Sequence, residues 1–326
     1  DQHPRAPQAR RVISVVIPVR NAGGDLRRCL EGIGRQRTEQ EVEIVVVDSA
    51  STDGSAALAR TLGARVHEIP VERFDHGATR NLGAELARGE VLVFTSQDAY
   101  PVNDSWLAKL TAPLADSGVG GVYGRQVAHL DARPPEVYFL DFLYGPRPRV
   151  QAAPEPEQLS METTLFSNVT SAIPRELLRR FPFADDLIMS EDQEWAARVL
   201  LEGYRLVYEP EAVVRHSHPY TIPAAFKRFF DSGASAERAF MPVPESARVL
   251  RRSALRYGRG ELAWLWRSGH RRWVPYAVVY ELAKYAGLQL GARHRRLPTA
   301  LKRRLSAHPA FWEREPGRLP QATDGM

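Results

Sequence analysis

Val42-Glu43-Ile44-Val45-Val46-Val47-Asp48-Ser49-Ala50-Ser51-Thr52-Asp53-Gly54-Ser55 sets the fold class. The β-branched apolar run to Val47 is too short for a core helix and reads as a strand buried on both faces, ending at Asp48. Short polar residues follow. Asp53, an N-cap type, then opens a helix running to Thr61. The same grammar stands upstream: an apolar run from Val12 to Val19, a turn at Asn21–Gly24 and a helix from Asp25 to Gln36. Downstream it repeats twice, as a strand at Arg65–Ile69, a helix from Thr79 to Arg88 that stops at Gly89, and a strand at Glu90–Thr95. Strands alternating with helices at this spacing predict an α/β fold with a doubly wound, mainly parallel, Rossmann-like sheet. Ligands bind such sheets outside the carboxyl ends of the strands. Asp48 and Asp98 both fall just past such ends.

The second half is less regular. Pro134 to Pro156 is proline-rich and reads as a long loop. A helix is expected at Glu191–Glu202, with short strands at Tyr204–Tyr208 and Val213–Arg215. From Ile222 onward the pattern is helical and basic. The expected organisation is a flexible segment at 1–11, a catalytic domain at 12–240 and a basic helical region at 241–326. The catalytic domain divides into a nucleotide half near 12–127 and an acceptor half near 128–240.

With 326 residues, 44% hydrophobic and 25% charged, the composition excludes a disordered or fibrous chain. The single cysteine, Cys29, excludes an internal disulfide, fits a reducing compartment and sits in an apolar helical pattern as a structural thiol. No apolar run approaches the ~20 residues that cross a bilayer. The net charge of +5 conceals an asymmetry, since residues 241–326 hold 17 Lys and Arg against 6 Asp and Glu. A basic end of this kind suits anionic headgroups or lipid diphosphates, or is simply a solvated face. No nucleic-acid partner is expected from it alone.

Four constellations carry chemistry. Ile17-Pro18-Val19-Arg20-Asn21 and Asp48-Ser49 through Asp53-Gly54-Ser55 place polar residues at two neighbouring strand ends. There a carboxylate can accept hydrogen bonds from a base or ribose, although Asp53 equally suits helix capping. Ser96-Gln97-Asp98 sets a carboxylate at a third strand end, as a hard cation bridging phosphates requires. Ser190-Glu191-Asp192-Gln193-Glu194-Trp195 opens a helix with acids, which either complement its dipole or hold a general base on a rigid frame. Arg215-His216-Ser217-His218-Pro219 puts two histidines at alternate positions, and so on one face of a strand end, where they can serve as metal ligands.

In order and spacing these motifs resemble the family 2 glycosyltransferases of the GT-A fold, over roughly the first two thirds of the chain. The resemblance rests on Val15-Val16-Ile17-Pro18 with Asn21, Asp48 through Ser55, Arg80-Asn81 with Gly83, Ser96-Gln97-Asp98, Glu191-Asp192 and His216. His76-Gly77-Ala78-Thr79-Arg80-Asn81 with Thr95-Ser96-Gln97-Asp98-Ala99 is most similar to the rhamnosyltransferase-type branch, which uses dTDP-rhamnose to build bacterial surface polysaccharides.

That resemblance implies an inverting transfer from a nucleotide diphosphate, dTDP-rhamnose or alternatively a UDP-hexose, to a glycan or lipid-linked acceptor. Asp192 would be the catalytic base with Glu191 beside it. Pro18, Val19, Arg20, Asn21, Asp48, Ser49, Asp53, Arg80, Ser96, Gln97 and Asp98 would line the nucleotide-sugar site, and Glu194 and Trp195 would face the acceptor. Asp98, His216 and His218 would hold Mg2+ or Mn2+. One departure stands out: Ser96 replaces the first acid of the family's Asp-x-Asp motif, so the metal site has one carboxylate fewer. The expected location is the cytoplasm, peripherally at the inner face of the cell membrane.

A sugar nucleotidyltransferase is the rival enzyme, but Asn21-Ala22-Gly23-Gly24 is too short for its phosphate loop and lacks the Arg and Lys. A non-catalytic glycan- or membrane-binding scaffold is the rival of another class. Retention of Asp98, Glu191, Asp192 and His216 argues against it.

Overall fold

The computed structural model describes residues 12–241 and 244–313. The segment 1–11, expected to be flexible, lies outside the described residues. Strands β1 (Val12–Val19), β2 (Glu41–Asp48), β3 (Arg65–Glu68) and β4 (Val91–Thr95) alternate with helices α1 (Gly23–Gly34), α2 (Ser55–Thr61) and α3 (His76–Leu86). They form the parallel run β3-β2-β1-β4, in which Asp48 pairs with Val19 at the carboxyl edge. The β-branched residues of β1 and β2 bury on both faces between helices, as a doubly wound sheet demands.

The chain continues through β5 (Tyr100–Pro101), α4 (Trp106–Thr111), β6 (Val119–Val127), α5 (Pro134–Leu143), β7 (Arg149–Gln151), β8 (Thr170–Pro174), α6 (Arg175–Arg180), α7 (Glu191–Leu201) and β9 (Arg205–Arg215). The nine-stranded sheet runs β3-β2-β1-β4-β8-β6-β9-β5, with β7 also on β9. β8 is antiparallel to both β4 and β6, so the acceptor half is a mixed sheet.

Three expectations change. Pro134–Pro156 is not a loop but contains α5 and β7. Pro134 and Pro135 occupy the first turn of α5, where no backbone N–H is needed, so the prolines start the helix. The two strands expected at 204–215 are one strand, β9, whose register against β6 shifts between Gly124 and Arg125. α3 begins at His76, three residues early, because the Asp75 carboxylate accepts from the N–H groups of Gly77 and Ala78.

Helices α8 (Ile222–Ala239), α9 (Pro244–Arg267), α10 (Val274–Gly291) and α11 (Thr299–Leu305) complete the chain. α8 and α10 approach at backbone distance. A Cβ on Gly291 would sit 1.9 Å from the Phe230 carbonyl oxygen, and one on Gly287 would sit 2.3 Å from that of Phe226. Two glycines one turn apart on α10 thus let the helices close. Among the described residues no helix is long and apolar enough to cross a membrane.

Candidate active site

The carboxyl ends of β1 and β4 open into one cavity of about 1470 Å³, walled on its other sides by α5, the start of α7, α8, α9 and α10; the expected site residues Asn21, Asp48, Ser49 and Asp53 do not line it. Among the described residues three non-glycine positions have positive φ: Asn21, Ala50 and Ser190. Two follow β1 and β2, and one directly precedes Glu191 at the start of α7. Unfavourable backbone retained there is typical of a functional site.

The loops after β1 and β2 brace each other. The Asn21 N–H donates to Ser51 Oγ, and the Asn21 side-chain oxygen accepts from the Thr52 N–H. Asp53 accepts from the N–H groups of Gly23 and Ser55, so Asp53 spends its carboxylate on joining the loops. Ser49 is buried and its N–H donates to the Val19 carbonyl. Asp48 is 1% exposed; its Oδ2 accepts from the Ser51 N–H while its buried Oδ1 has no partner among the described residues. Pro18, Val19, Arg20, Ser96, Gln97 and Asp98 line the cavity. Gln97 exchanges two hydrogen bonds with the backbone of Arg20, which fixes the turn that carries Asp98. Cys29 lies beneath this turn, fully buried, and burial pushes its thiol far up, so it is inert.

Asp98, His216 and His218 converge. His216 Nε2 and His218 Nε2 each lie 3.7 Å from an Asp98 carboxylate oxygen. One ligand atom from each residue falls within 4.8 Å of the other two, close enough to share a metal ion. His216 Nδ1 is 3.0 Å from Gln126 Oε1, and the Gln126 amide donates to Ser167 Oγ. That chain makes Nδ1 the donor and leaves the Nε2 lone pair facing Asp98, the tautomer a ligand needs. Burial holds His216 down at about 4 against the pull of Asp98, so it is neutral near pH 7. This donor set of one carboxylate and two imidazoles fits a divalent transition cation better than an all-oxygen Ca2+ cage.

The second cluster stands at the start of α7. Glu191 is buried, and its Oε1 accepts from Arg80 Nη1 at 2.9 Å and from Asn168 Nδ2 at 3.4 Å. Burial opposes ionisation, but the Arg80 charge, helped by the Asn168 hydrogen bond, overcomes it and holds Glu191 below its ordinary value. Asp192 is the opposite case. Burial first and the Glu191 charge second push it up to about 7, although its two oxygens accept from the N–H groups of Asn168 and Gln193. Two adjacent acids are thus split into a permanent anion and a group poised near neutrality, the division general-base chemistry uses.

Asn81 clasps the backbone of Phe183 in both directions, and a Cβ on Gly77 would sit 1.9 Å from the Ala184 carbonyl oxygen. The His76–Asn81 stretch therefore locks α3 against the segment leading to α7, bringing Arg80 to Glu191.

Two expected acceptor contacts are corrected. Trp195 is fully buried, its Nε1 donating to the Phe181 carbonyl, and it packs on Phe166 and Phe183. Glu194 is buried against Arg198 in a two-bond pair. Neither lines the cavity. The cavity reaches only the first turn of α7, Glu191 to Gln193, and the next turn is covered by Phe166, Phe183 and Arg198. Asn168 and Gln126 were not legible in the sequence, because they carry no local motif and only tertiary packing brings Asn168 to the acids and Gln126 to His216. His76 stood in the His76–Asn81 stretch, but its place beside Glu191 was not legible.

The model of the family described as "Glycosyl transferase family 2" matches residues 14–181. The chain is 31% identical over 304 residues to the O-antigen chain rhamnosyltransferase RfbN of Salmonella typhimurium, covering 92% of this chain and 96% of that protein. It is 30% identical to the O-antigen chain rhamnosyltransferase WbaN of Salmonella anatum, covering 92% and 95%. Among solved structures it is similar to a mannosyltransferase of Pyrobaculum calidifontis in complex with GDP-Man and Mn2+. That match has a TM-score of 0.60 at 23% identity and covers 87% of this chain and 88% of that one, so the fold is of the GT-A type. By its family model and its relatives along nearly the whole length, the chain belongs to glycosyltransferase family 2.

Proposed function

We propose that this glycosyltransferase moves rhamnose from dTDP-rhamnose to a hydroxyl of a lipid-linked or cell-surface glycan, with inversion at the anomeric carbon. The observation that carries the reading is a single cavity lined both by Asp192, poised near neutrality, and by the Asp98–His216–His218 cluster. Asp98 and His216, with His218 beside them, would hold Mg2+ or Mn2+, which when bound supplies positive charge where the diphosphate leaves. The nucleoside sits against Pro18, Val19, Arg20 and Asn21, with Asp48 Oδ1 the acceptor still unused. Ser96 lies at the strand end beside it. Asp192 takes the proton of the acceptor hydroxyl as that oxygen attacks the anomeric carbon, and the bond to the diphosphate breaks with its electrons going to the phosphate oxygen. Arg80 and Asn168 hold Glu191 as an anion, and that charge keeps Asp192 basic.

The rhamnosyl choice is supported by the names of the relatives. It predicts that, with Mn2+ present, dTDP-rhamnose raises the melting temperature more than UDP-glucose, UDP-galactose or GDP-mannose does. At a hundredfold excess over Kd the gain is about 2.7 kcal/mol, a plainly visible shift. A larger shift with a UDP-hexose makes the enzyme a family 2 hexosyltransferase of another donor.

The basic end divides its aromatics. Trp264 packs on Tyr138, and Tyr276 stacks on Tyr280 under Arg133. Leu255, Leu262 and Trp266 on α9, and Val278, Val279, Leu282 and Tyr285 on α10, are exposed. Spacings of three, four and seven put each set on one helical face. Arg251, Arg252, Arg256, Arg259, Arg271 and Arg272 are exposed on the same region. Leu255, Leu262, Val278, Leu282 and Tyr285 also line the outer reach of the cavity. We infer that this face rests on the anionic inner face of the cell membrane, from which the lipid-linked acceptor enters. Each nearby Lys or Arg contributes about 1 kcal/mol. Cosedimentation with phosphatidylglycerol vesicles should rise with anionic content and fall with salt, and L262E/L282E should abolish it. Wild-type protein left in the supernatant at low salt refutes membrane docking.

A further inference from the structure

The C-terminal turn after α11 returns to the catalytic cavity, a placement that nothing in the donor motifs calls for. Asp231 on α8 is fully buried and gathers this turn. Its Oδ2 accepts from the Ala307 N–H at 2.8 Å. Ser306 is 1% exposed, and its Oγ accepts from the His308 N–H as well. Beyond the turn, Trp312 packs on Phe230 of α8. A turn held by a buried carboxylate has a fixed side-chain direction, and here the direction is inward. Ala307 and His308 both line the cavity that holds Arg80, Glu191, Asp192 and Asp98.

His308 meets His76 edge to face, with ring centroids 5.4 Å apart. His76 is the residue whose carbonyl receives Arg80 Nη1, and the same Nη1 binds Glu191. The histidine pair therefore stands one helical turn from the Arg80–Glu191 pair, which neighbours the base. His76 Nε2 and Arg80 Nε are both buried polar atoms with no partner among the described residues. An unpaired buried polar atom is costly, so such atoms in a cavity wall point to a polar ligand. Burial pushes both imidazoles below their ordinary value. A neutral imidazole offers a hydroxyl group one donor and one acceptor nitrogen.

We propose that His308, presented by the Asp231-anchored turn, contacts the sugar of the donor together with His76, so that the C-terminal segment completes the donor-sugar subsite. This rests on the nucleotide-sugar reading above. It places the transferred ring between the Asp98 cluster, where its diphosphate is held, and Asp192, where the acceptor arrives. The subsite is thus shared between α3 and a turn more than two hundred residues later in the chain.

Calorimetry with Mn2+ tests it on the full-length protein, using two ligand pairs: dTDP with dTDP-rhamnose, and UDP with UDP-glucose. Losing one neutral hydrogen-bond partner changes affinity by about tenfold. His308→Ala should weaken the sugar nucleotide that the wild type accepts by about that factor and leave the matching nucleoside diphosphate unchanged. His308→Gln, which keeps a donor and an acceptor at similar reach, should recover most of the loss, and it serves if the alanine variant melts early. Equal weakening of nucleotide and sugar nucleotide in both variants, or no weakening of either, overturns the subsite. A wild-type protein that binds neither pair overturns the donor reading itself, and the subsite falls with it.

Discussion

Asp192→Asn is expected to lower turnover by two to four orders of magnitude, about 10²–10⁴-fold, while donor affinity stays within about twofold of wild type. Both halves follow from geometry. Asp192 is packed at the start of α7 with its oxygens on the N–H groups of Asn168 and Gln193, and an amide oxygen can keep only one of those bonds. The change thus removes the proton acceptor with little alteration of shape. The residues proposed for the nucleotide line the cavity at the β1 and β4 ends and not on α7, so binding should be spared. A base must be ionised to act, and burial with the Glu191 charge pushes Asp192 up to about 7. The initial rate should therefore rise with pH through about 7 and fall tenfold per unit well below it. Removing the Glu191 charge by Glu191→Gln should shift that limb to lower pH, since Glu191 raises its neighbour. It also strips Arg80 of its partner and should cost stability, because a buried charge left unpaired is strongly destabilising. Steady-state rates across pH 5–9, with donor Kd measured in parallel, check the set. A near-normal rate for Asp192→Asn would remove it from catalysis.

Asp98→Asn is expected to abolish the part of nucleoside diphosphate binding that depends on metal, and Gln126→Leu to weaken it about 10–100-fold. Asp98 supplies the cluster's carboxylate, and both histidines face it at 3.7 Å. With Ser96 where the first acid stands in the family's motif, no other carboxylate joins the cluster among the described residues. One substitution should therefore suffice. Gln126 touches only the far nitrogen of His216, so its loss tests orientation: with no acceptor at Nδ1, the ring is free to take the other tautomer. Titration of Mn2+ and of dTDP into each variant separates the two effects. Retention of full metal-dependent binding by Asp98→Asn would move the cation elsewhere.

The parallel half of the sheet was legible because its physics is local. A β-branched run buries on both faces, and the polar residue at each strand's carboxyl end must fall on one edge. The candidate acids and histidines lie at such ends or at a helix start, so chain order marked the strand ends and the helix start, and the family resemblance singled out Asp48, Asp98, Asp192 and His216 among them. Pro134 and Pro135 misled because a proline pair signals a break in the interior of a helix and a beginning at its first turn. Only the apolar face of α5 against β6 and α9 distinguishes the two.

What the sequence determined by itself was therefore the α/β class, the strand edge that serves as the site, and the family. Each depends on residue spacing along one or two elements. What tertiary structure decided was which acid is basic and which imidazole is neutral. Those properties come from burial and from partners distant in sequence: the Arg80 charge on Glu191 across 111 positions, the Gln126 amide on His216 across 90. The same holds for Trp195, whose place in the core rather than at the acceptor is set by how α7 is turned against Phe166 and Phe183. A side chain's ionisation and direction are properties of the three-dimensional field around it, and that field exists only once the chain has closed.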